Sequence, residues 1–236
     1  MGSARGDTAD RNSIPVNGQN KLMRATAARE DIRDLILDAT DRLLARYGYR
    51  KMTMDDLAQE VGIGKGTIYL HFPSKEEVVL SHVDRIVERL KGELLEIARG
   101  VGTPAARLRR MLVMRVMFRF DSVQHYTESL SDLLAALRPG LLARRQRHFE
   151  EESEVLARVL RDGRREGVFG FRDGAAAART LLTATNALLP YSLSARELGG
   201  RDDLEVEATR VVDMLLTGLL ARADTAAKPE GRKGAR

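Results

Sequence analysis

A short segment of the chain, residues 65–75, carries several side chains that can form hydrogen bonds through different chemical groups. It reads KGTIYLHFPSK and supplies ammonium, hydroxyl, phenol and imidazole groups. Such groups bind phosphate oxygens and the edges of base pairs. We therefore expect one helix face here to contact DNA, with Ile68 buried behind it; the face comprises Lys65, Gly66, Thr67, Tyr69 and His71.

Residues 53–64 predict the element that positions this face. Ala58 is small enough for a second helix to cross closely, and Gly62 can adopt the left-handed backbone conformation that a tight turn needs. Four apolar side chains around these residues would hold the two helices at a steep angle: Leu57, Val61, Ile63 and Ile68. The pattern predicts a helix-turn-helix whose short second helix suits the major groove. The alternative is an ordinary helical hairpin within a bundle.

Capping residues mark the starts of the flanking helices. Thr53 is a predicted N-cap with Asp56 at the capping-box position, and its hydroxyl is also a candidate phosphate ligand. Ser74 is the predicted N-cap of the next helix, and Glu77 completes its capping box. Lys75 lies at that N-terminus, where backbone N–H groups and an ammonium can share a phosphate.

The region from Asp31 to Val79 resembles the TetR family of transcriptional regulators. The residues that carry the resemblance are Thr53, Asp56-Leu57-Ala58, Gly62-Ile63, Lys65-Gly66-Thr67-Ile68-Tyr69, His71-Phe72 and Ser74-Lys75-Glu76-Glu77. The remaining two thirds of the chain resemble the family only in length and helical pattern. The resemblance implies a homodimer that binds a palindromic operator in double-stranded DNA, usually represses, and is released by a small-molecule effector.

The chain as a whole is predicted to be all-α, with about nine helices, three of them in the DNA-binding unit. The expected division is a disordered arm at 1–27, a helix-turn-helix DNA-binding domain at 28–75, an effector-binding and dimerisation domain at 76–223, and a disordered tail at 224–236. A long helix from Lys75 to about Arg99 is the expected link between the two domains. Separate helices are expected from His125 to Leu137 and from Leu141 to Gly167, on either side of Pro139.

A pocket for a small, mainly apolar effector is expected between the linking helix and the helices that begin near Pro104, His125, Leu141 and Asp173. The candidate lining consists of apolar side chains and two polar groups on an otherwise apolar helix: Met111, Met114, Phe118, Tyr126, Phe149, Thr183 and Asn186. Methionine is flexible and polarizable, which suits an adaptable lining, although the same stripe fits a plain core. Arg115 and Arg119 lie one turn apart and could receive an anionic ligand group or form a solvated face.

The final helix, from about Asp203 to Arg222, carries two adjacent apolar rows. Together the rows are wide enough to cover the protein's own core and to meet a second surface. A two-fold dimer is therefore expected through the last two helices, near Ala178, Leu182, Val212, Leu216 and Leu220.

Composition excludes several other classes of function. The chain of 236 residues has a net charge of +5, which is compatible with a nucleic-acid partner, and no cysteine, which excludes disulfides and thiolate metal sites. The histidines are scattered, so neither a metal nor a cofactor is expected. We find no glycine-rich phosphate loop, Gly-x-Ser-x-Gly or His-Glu-x-x-His pattern, and predict that the protein is not an enzyme. No apolar run reaches the roughly 18 residues of a membrane span, so a cytoplasmic location is expected.

The size of the second domain favours a ligand-responsive regulator, and the family resemblance implies that it is most simply a repressor. The alternatives are a helix-turn-helix DNA-binding protein without an effector, for which so large a second domain would be superfluous, and an activator.

Overall fold

The computed structural model describes the backbone of residues 16–190 and 199–220 and the side chains of 29–125, 130–190 and 199–220. This part of the chain is all-α, as predicted, and contains eight α-helices: α1 Val16–Lys51, α2 Met54–Val61, α3 Lys65–His71, α4 Lys75–Arg99, α5 Pro104–Asp121, α6 Thr127–Arg165, α7 Gly174–Thr185 and α8 Arg201–Leu219. Two short 3-10 turns, Gln124–Tyr126 and Asn186–Leu188, adjoin α6 and α7. Within the described residues no helix is long and apolar enough to cross a membrane.

The first helix is longer than expected. It begins at Val16, so residues 16–27 of the expected disordered arm are helical, whereas residues 1–15 lie outside the described part, as does the expected tail at 224–236. From Lys21 to Ala27 every residue except Thr26 is a good helix former, which favours extension of the helix. The other end is sharply defined, because Gly48 has a φ of 71° and breaks the regular helix before Lys51.

The helix-turn-helix is formed by α2 and α3 with the boundaries that its capping residues require. Thr53 and Asp56 form the reciprocal capping box at the start of α2, and Gly62 ends that helix in the left-handed conformation with a φ of 76°. Ile68 is the buried residue of α3, and Phe72 behind it is fully buried. The guanidinium of Arg33 in α1 covers the Phe72 ring at 4.2 Å, which fixes α1 against the end of α3.

The prediction of two separate helices around Pro139 is wrong, because α6 runs without interruption from Thr127 to Arg165. Proline removes one intrahelical hydrogen bond, but packing on both sides of it holds the helix together. Leu133 and Leu137 are buried before the proline, and Leu156 after it. Gly140 lies so close to α4 that a Cβ at this position would stand 2.5 Å from Leu80 Cδ1.

The hydrophobic core crosses the expected domain boundary at residues 75 and 76. One buried cluster joins side chains of α1, α2 and α3 to side chains of α4, α5, α6 and α8, including Phe72, Val79 and Leu137. A second cluster lies among α4, α5, α6, α7 and α8. The DNA-binding unit therefore shares a core with the larger helical body, and displacement of α4 must be felt by both.

Candidate DNA-binding surface and ligand cavity

The exposed face of α3 brings together the side chains that the sequence assigns to DNA contact. Lys65, Gly66 and Tyr69 are exposed, Tyr69 by 48%, while Thr67 and His71 are half-buried at the edges of the face. Lys65 Nζ donates a hydrogen bond to Asp55 Oδ2 at 2.7 Å, and this contact raises the pKa of Lys65, which remains cationic. The face thus presents a positive charge and a phenol on one short helix.

Gly66 has an unusual position on this face. It lies in the first turn of a helix with a negative φ, and a Cβ added to it would meet nothing within 4 Å. Glycine costs roughly 1 kcal/mol relative to alanine in a helix interior, and no contact within the described chain requires it here. An exposed backbone without a side chain allows close approach of another molecule.

Thr53 and His71, at the margins of the candidate surface, form hydrogen bonds with neighbouring residues. The Thr53 hydroxyl accepts a hydrogen bond from Asp56 N at 3.1 Å and donates one to Asp56 Oδ2 at 2.7 Å, so it serves the cap. The His71 carbonyl accepts a hydrogen bond from Arg33 Nη1 at 3.3 Å. Burial, together with the charges of Arg29 and Arg33, lowers the pKa of His71, which favours the neutral imidazole.

Lys75 has a different environment from the one expected. Its ammonium donates hydrogen bonds to the carbonyls of Tyr49 at 2.9 Å and Met52 at 3.1 Å, and lies 4.4 Å from the centre of the Tyr49 ring. Burial lowers the pKa of Lys75. The side chain therefore ties the start of α4 to the end of α1, where free helix carbonyls attract a cation. Tyr49 and Met52 are 26 and 23 residues from Lys75, so local sequence does not distinguish this structural role from phosphate binding.

A cavity of about 300 Å³ lies between α4, α5 and α6, in the region where the pocket was expected. Its apolar walls are formed chiefly by two helices, with Val79, Val83 and Ile86 from α4 and Leu133, Leu134 and Phe149 from α6. This volume is at the lower end of the range for small-molecule sites.

Most of the residues expected to line the pocket lie elsewhere. Phe149 is on the cavity wall, but Met111, Met114 and Phe118 face the second core cluster. Thr183 is exposed, and Asn186 Oδ1 accepts a hydrogen bond from Arg115 Nη2 at 2.7 Å. The side chain of Tyr126 lies outside the described residues. The residues that sequence reasoning missed are the aliphatic side chains of α4 and of the first half of α6, because a break at Pro139 was expected to divide that wall.

A buried ionic cluster forms one end of the cavity. Arg115 and Glu152 are 2% and 1% exposed, and Arg115 Nε donates a hydrogen bond to Glu152 Oε2. Arg119 donates to the other carboxylate oxygen, and Arg115 Nη1 donates to Thr185 Oγ1 at 3.2 Å. Burial raises the pKa of Glu152, but the charges and hydrogen bonds of the two arginines outweigh this and hold it below its ordinary value. Glu152 is therefore ionised.

A second ionic group joins the cavity wall to α4. Arg144 of α6 donates to both carboxylate oxygens of Glu77 at 2.8 Å and to Asp84 Oδ2 at 2.5 Å. His148 Nε2 lies 2.8 Å from Asp84 Oδ1. Burial raises the pKa of Asp84, but contacts with His148, Arg144 and Arg147 produce a net lowering. Because Glu77 belongs to the first turn of α4, this group connects the cavity wall to the neighbourhood of α3.

The residues expected at a dimer interface are mostly inside the protomer. Ala178, Leu182, Val212 and Leu216 are buried in the second core cluster, so they cannot form a docking surface, while Leu220 is exposed. The outer side of α8 carries other large apolar residues, with Met214 71% exposed and Val206 also exposed. Both apolar rows that the sequence shows on α8 pack toward the protein's own core, through Val212 and Leu216 in one and Leu215 and Leu219 in the other. Met214 and Val206 belong to neither row.

Metal ligands do not gather at either site. Among the described residues, no group of three or more histidine, aspartate and glutamate side chains could hold a metal ion.

A three-helix unit with an exposed recognition helix, joined to a larger helical body, defines a helix-turn-helix regulator of transcription. A model of the family described as bacterial regulatory proteins, tetR family, matches residues 36–81. The transcriptional regulator TcmR of Streptomyces glaucescens is 32% identical over 172 residues, which cover 71% of this chain and 73% of that protein. The chain belongs to the TetR family of transcriptional regulators.

Other relatives agree over shorter or more divergent regions. The transcriptional repressor KstR of Mycolicibacterium smegmatis is 34% identical over 100 residues, covering 42% of this chain, and the chain spans only 48% of its length. A TetR transcription regulator from Haloarcula marismortui is similar in fold, with a TM-score of 0.65, 22% identity, and coverage of 81% of this chain and 99% of that one.

Proposed function

We propose that this TetR-family regulator represses transcription by binding a palindromic operator as a homodimer, and that a small ligand in the cavity releases it. One observation carries the proposal: α4 forms a wall of the cavity through Val79, Val83 and Ile86, and the same helix begins four residues after α3 ends. A change in the cavity is therefore coupled mechanically to the recognition helix.

DNA recognition is assigned to the exposed face of α3. Lys65, Thr67, Tyr69 and His71 supply polar groups for phosphates and base edges, and Gly66 lets the helix backbone approach the groove. A seven-residue helix reads few base pairs alone. Two copies related by a two-fold axis, about one DNA turn or roughly 34 Å apart, would read two half-sites.

Dimerisation is assigned to the outer side of α8 and the adjoining side of α7. Met214 and Val206 are exposed there, and Thr180 and Thr183 are exposed on α7. Exposed apolar side chains on α8 and exposed small side chains on α7 suit close packing against an identical copy. This surface replaces the buried residues that the sequence suggested.

Release would follow from the position of the cavity between α4 and α6. A ligand there bears on α4, whose tilt sets the separation of the two recognition helices. The ligand must bind the operator-bound and released arrangements with different affinity, because equal affinity shifts no equilibrium. The rival function is a DNA-binding protein that no small molecule controls.

The test begins with an operator selected from random DNA and a thermal-shift screen of small organic molecules for ligands that stabilise the protein. Operator affinity is then measured by fluorescence anisotropy with and without each ligand. In Ile86→Trp the new ring should fill the cavity, so operator affinity should be the same with and without ligand. Val101→Trp is the matched control, because Val101 is exposed in the turn between α4 and α5.

Ligand-dependent release in wild type and in Val101→Trp, but not in Ile86→Trp, would support the proposal. Full release of Ile86→Trp would show that the effector acts elsewhere. Failure of every stabilising ligand to alter operator affinity would favour the rival function.

A further inference from the structure

The ionic cluster at the end of the cavity contains more positive than negative charge. Two guanidinium groups, from Arg115 and Arg119, share the single carboxylate of Glu152. The carboxylate is 1% exposed, and the side chains of Arg115 and Arg119 are 2% and 16% exposed. Buried ions are stable only when charges are paired and hydrogen bonds are complete, so one cation here lacks its own anion.

The hydrogen bonds identify the cation with spare capacity. Arg115 uses all three of its nitrogens, donating to Glu152, Thr185 and Asn186. Arg119 donates to Glu152 through Nη2, whereas its buried Nε has no hydrogen-bond partner among the described residues. Arg119 is therefore the group that an additional acceptor would satisfy.

The surroundings of Arg119 make the cavity the place for that acceptor. Arg119 and Glu152 both line the cavity, and Glu152 is the one carboxylate among its described lining residues. Arg138, Arg144 and Arg145 also line it, with Arg144 already held by Glu77 and Asp84. The rest of the wall is largely aliphatic, so the space combines an apolar body with a positive end.

A histidine on the α4 wall has unsatisfied hydrogen-bonding capacity of its own. His82 lines the cavity and is 4% exposed, and within the described residues its Nδ1 has no hydrogen-bond partner. Its Nε2 lies 3.3 Å from Asp41 Oδ1 of α1. A ligand with a polar group beside His82 would meet the Nδ1 atom of that residue on α4 as well as Arg119 on α5.

We propose that the effector is an amphipathic organic anion, with one acidic group held by Arg119 and an apolar body against the walls formed by α4 and α6. This rests on the proposed function, because it presupposes that the cavity is the effector site. The anion would supply the charge that the two arginines lack, and Arg119 Nε would gain an acceptor. A neutral molecule of the same shape would leave the excess positive charge without a counter-ion.

The test uses two fluorescent probes that share an arylamine body and differ in charge. The anion is 1-anilinonaphthalene-8-sulfonate, and the neutral counterpart is N-phenyl-1-naphthylamine. Each is titrated into the full chain as wild type, Arg119→Met, Arg119→Lys, Ile86→Trp and Arg158→Met. Arg158, exposed on α6, is the matched control for loss of an arginine.

Wild type should bind the anion at least about tenfold more tightly than the neutral probe, because a hydrogen bond to a charged group is worth about 1.5–3 kcal/mol and 1.4 kcal/mol is a factor of ten. Arg119→Met should lose this preference with unchanged affinity for the neutral probe. Arg119→Lys should retain part of it, and Arg158→Met all of it. Arg119→Met removes one charge-assisted hydrogen bond while Arg115 still pairs with Glu152, so thermal unfolding is used to verify that the variant is folded at the titration temperature.

The outcomes separate the two proposals. Equal affinity for both probes in wild type, or an unchanged preference in Arg119→Met, would overturn the anionic effector while the cavity remained a ligand site. Failure of both probes to bind, or binding that Ile86→Trp does not weaken, would overturn the cavity as the ligand site and both proposals with it.

Discussion

Arg144 in the middle of α6 donates hydrogen bonds to both carboxylate oxygens of Glu77, in the first turn of α4, each at 2.8 Å. Glu77 also accepts a hydrogen bond from Ser81 Oγ at 3.3 Å, and Ser81 accepts one from Arg33 at 3.1 Å. Arg33 in turn donates to the carbonyl of His71, at the end of the recognition helix. A continuous set of polar contacts thus connects the cavity wall to α3.

Arg144→Met should lower the free energy of unfolding by about 1.5–3 kcal/mol, because it removes charge-assisted hydrogen bonds to partly buried carboxylates. It should also weaken operator binding in the absence of ligand, since the start of α4 loses one of its attachments to α6. Denaturant unfolding and fluorescence anisotropy measure the two effects. Arg147→Met is the matched control, because Arg147 is more exposed and its contact with Asp84 is longer, at 3.4 Å. Equal effects of the two substitutions would contradict the role given to Arg144.

Gly66→Ala should separate stability from DNA binding. The new methyl group meets no atom of the described chain, so the helix should become more stable by up to about 1 kcal/mol. Operator affinity should fall, because the methyl group stands between the backbone and the groove. Gly92→Ala on the exposed side of α4 is the control, since it too adds a methyl group in open space. Gly92→Ala should give a similar gain in stability and leave operator affinity unchanged. A similar loss of operator affinity in both variants would contradict the role given to Gly66 in the approach to DNA.

Lys75 and Lys65 should differ in the salt dependence of DNA binding. Lys75→Met should cost about 1–3 kcal/mol of stability, because the carbonyls of Tyr49 and Met52 lose their donor, and should leave the salt slope unchanged. Lys65→Met should leave stability nearly unaltered and make the slope of log affinity against log salt shallower by about one. Anisotropy at several salt concentrations gives the slopes. A shallower slope for Lys75→Met would show that Lys75 binds a phosphate.

Met214→Glu should produce folded monomers. The side chain is 71% exposed in the protomer, so the substitution should not disturb the core, but it would place a charge in the proposed interface. Leu216→Ala should do the opposite, destabilising the protomer by about 2–5 kcal/mol because Leu216 is buried against its own core. Light scattering and thermal unfolding distinguish the cases. An intact dimer for Met214→Glu would place the interface elsewhere.

Local signals predicted the helix-turn-helix well. The Thr53 cap, the left-handed Gly62 and the Ser74 cap each act on backbone groups within three or four residues, so their effects can be read from neighbouring sequence. The all-α fold follows from apolar periodicity in the same way and is confirmed.

The lining of the cavity and the contacts of Lys75 depend on residues distant in sequence, which local patterns do not identify. Pro139 is a strong local signal for a helix break, but packing of α6 against neighbouring helices overrides it. Met111 and Met114 fit a pocket by residue type, yet they face the second core cluster. Both apolar rows of α8 pack toward the protein's own core, so they do not identify a docking surface, and the exposed Met214 and Val206 belong to neither row.

The close approach of Gly140 to Leu80 gives α4 a pivot. The space between Gly140 and Leu80 has no room for a methyl group, and the cavity-lining residues Val83 and Ile86 lie beyond Leu80 on the side away from the DNA-binding unit. At 1.5 Å per residue, Ile86 is roughly 9 Å from the pivot and Lys75 roughly 7.5 Å on the other side. In the proposed mechanism, a ligand that pushed Ile86 away from α6 would turn α4 about this contact and move the start of the helix the opposite way by a similar distance. The helix would then act as a lever with almost equal arms, and the contact between Arg144 and Glu77 would have to yield.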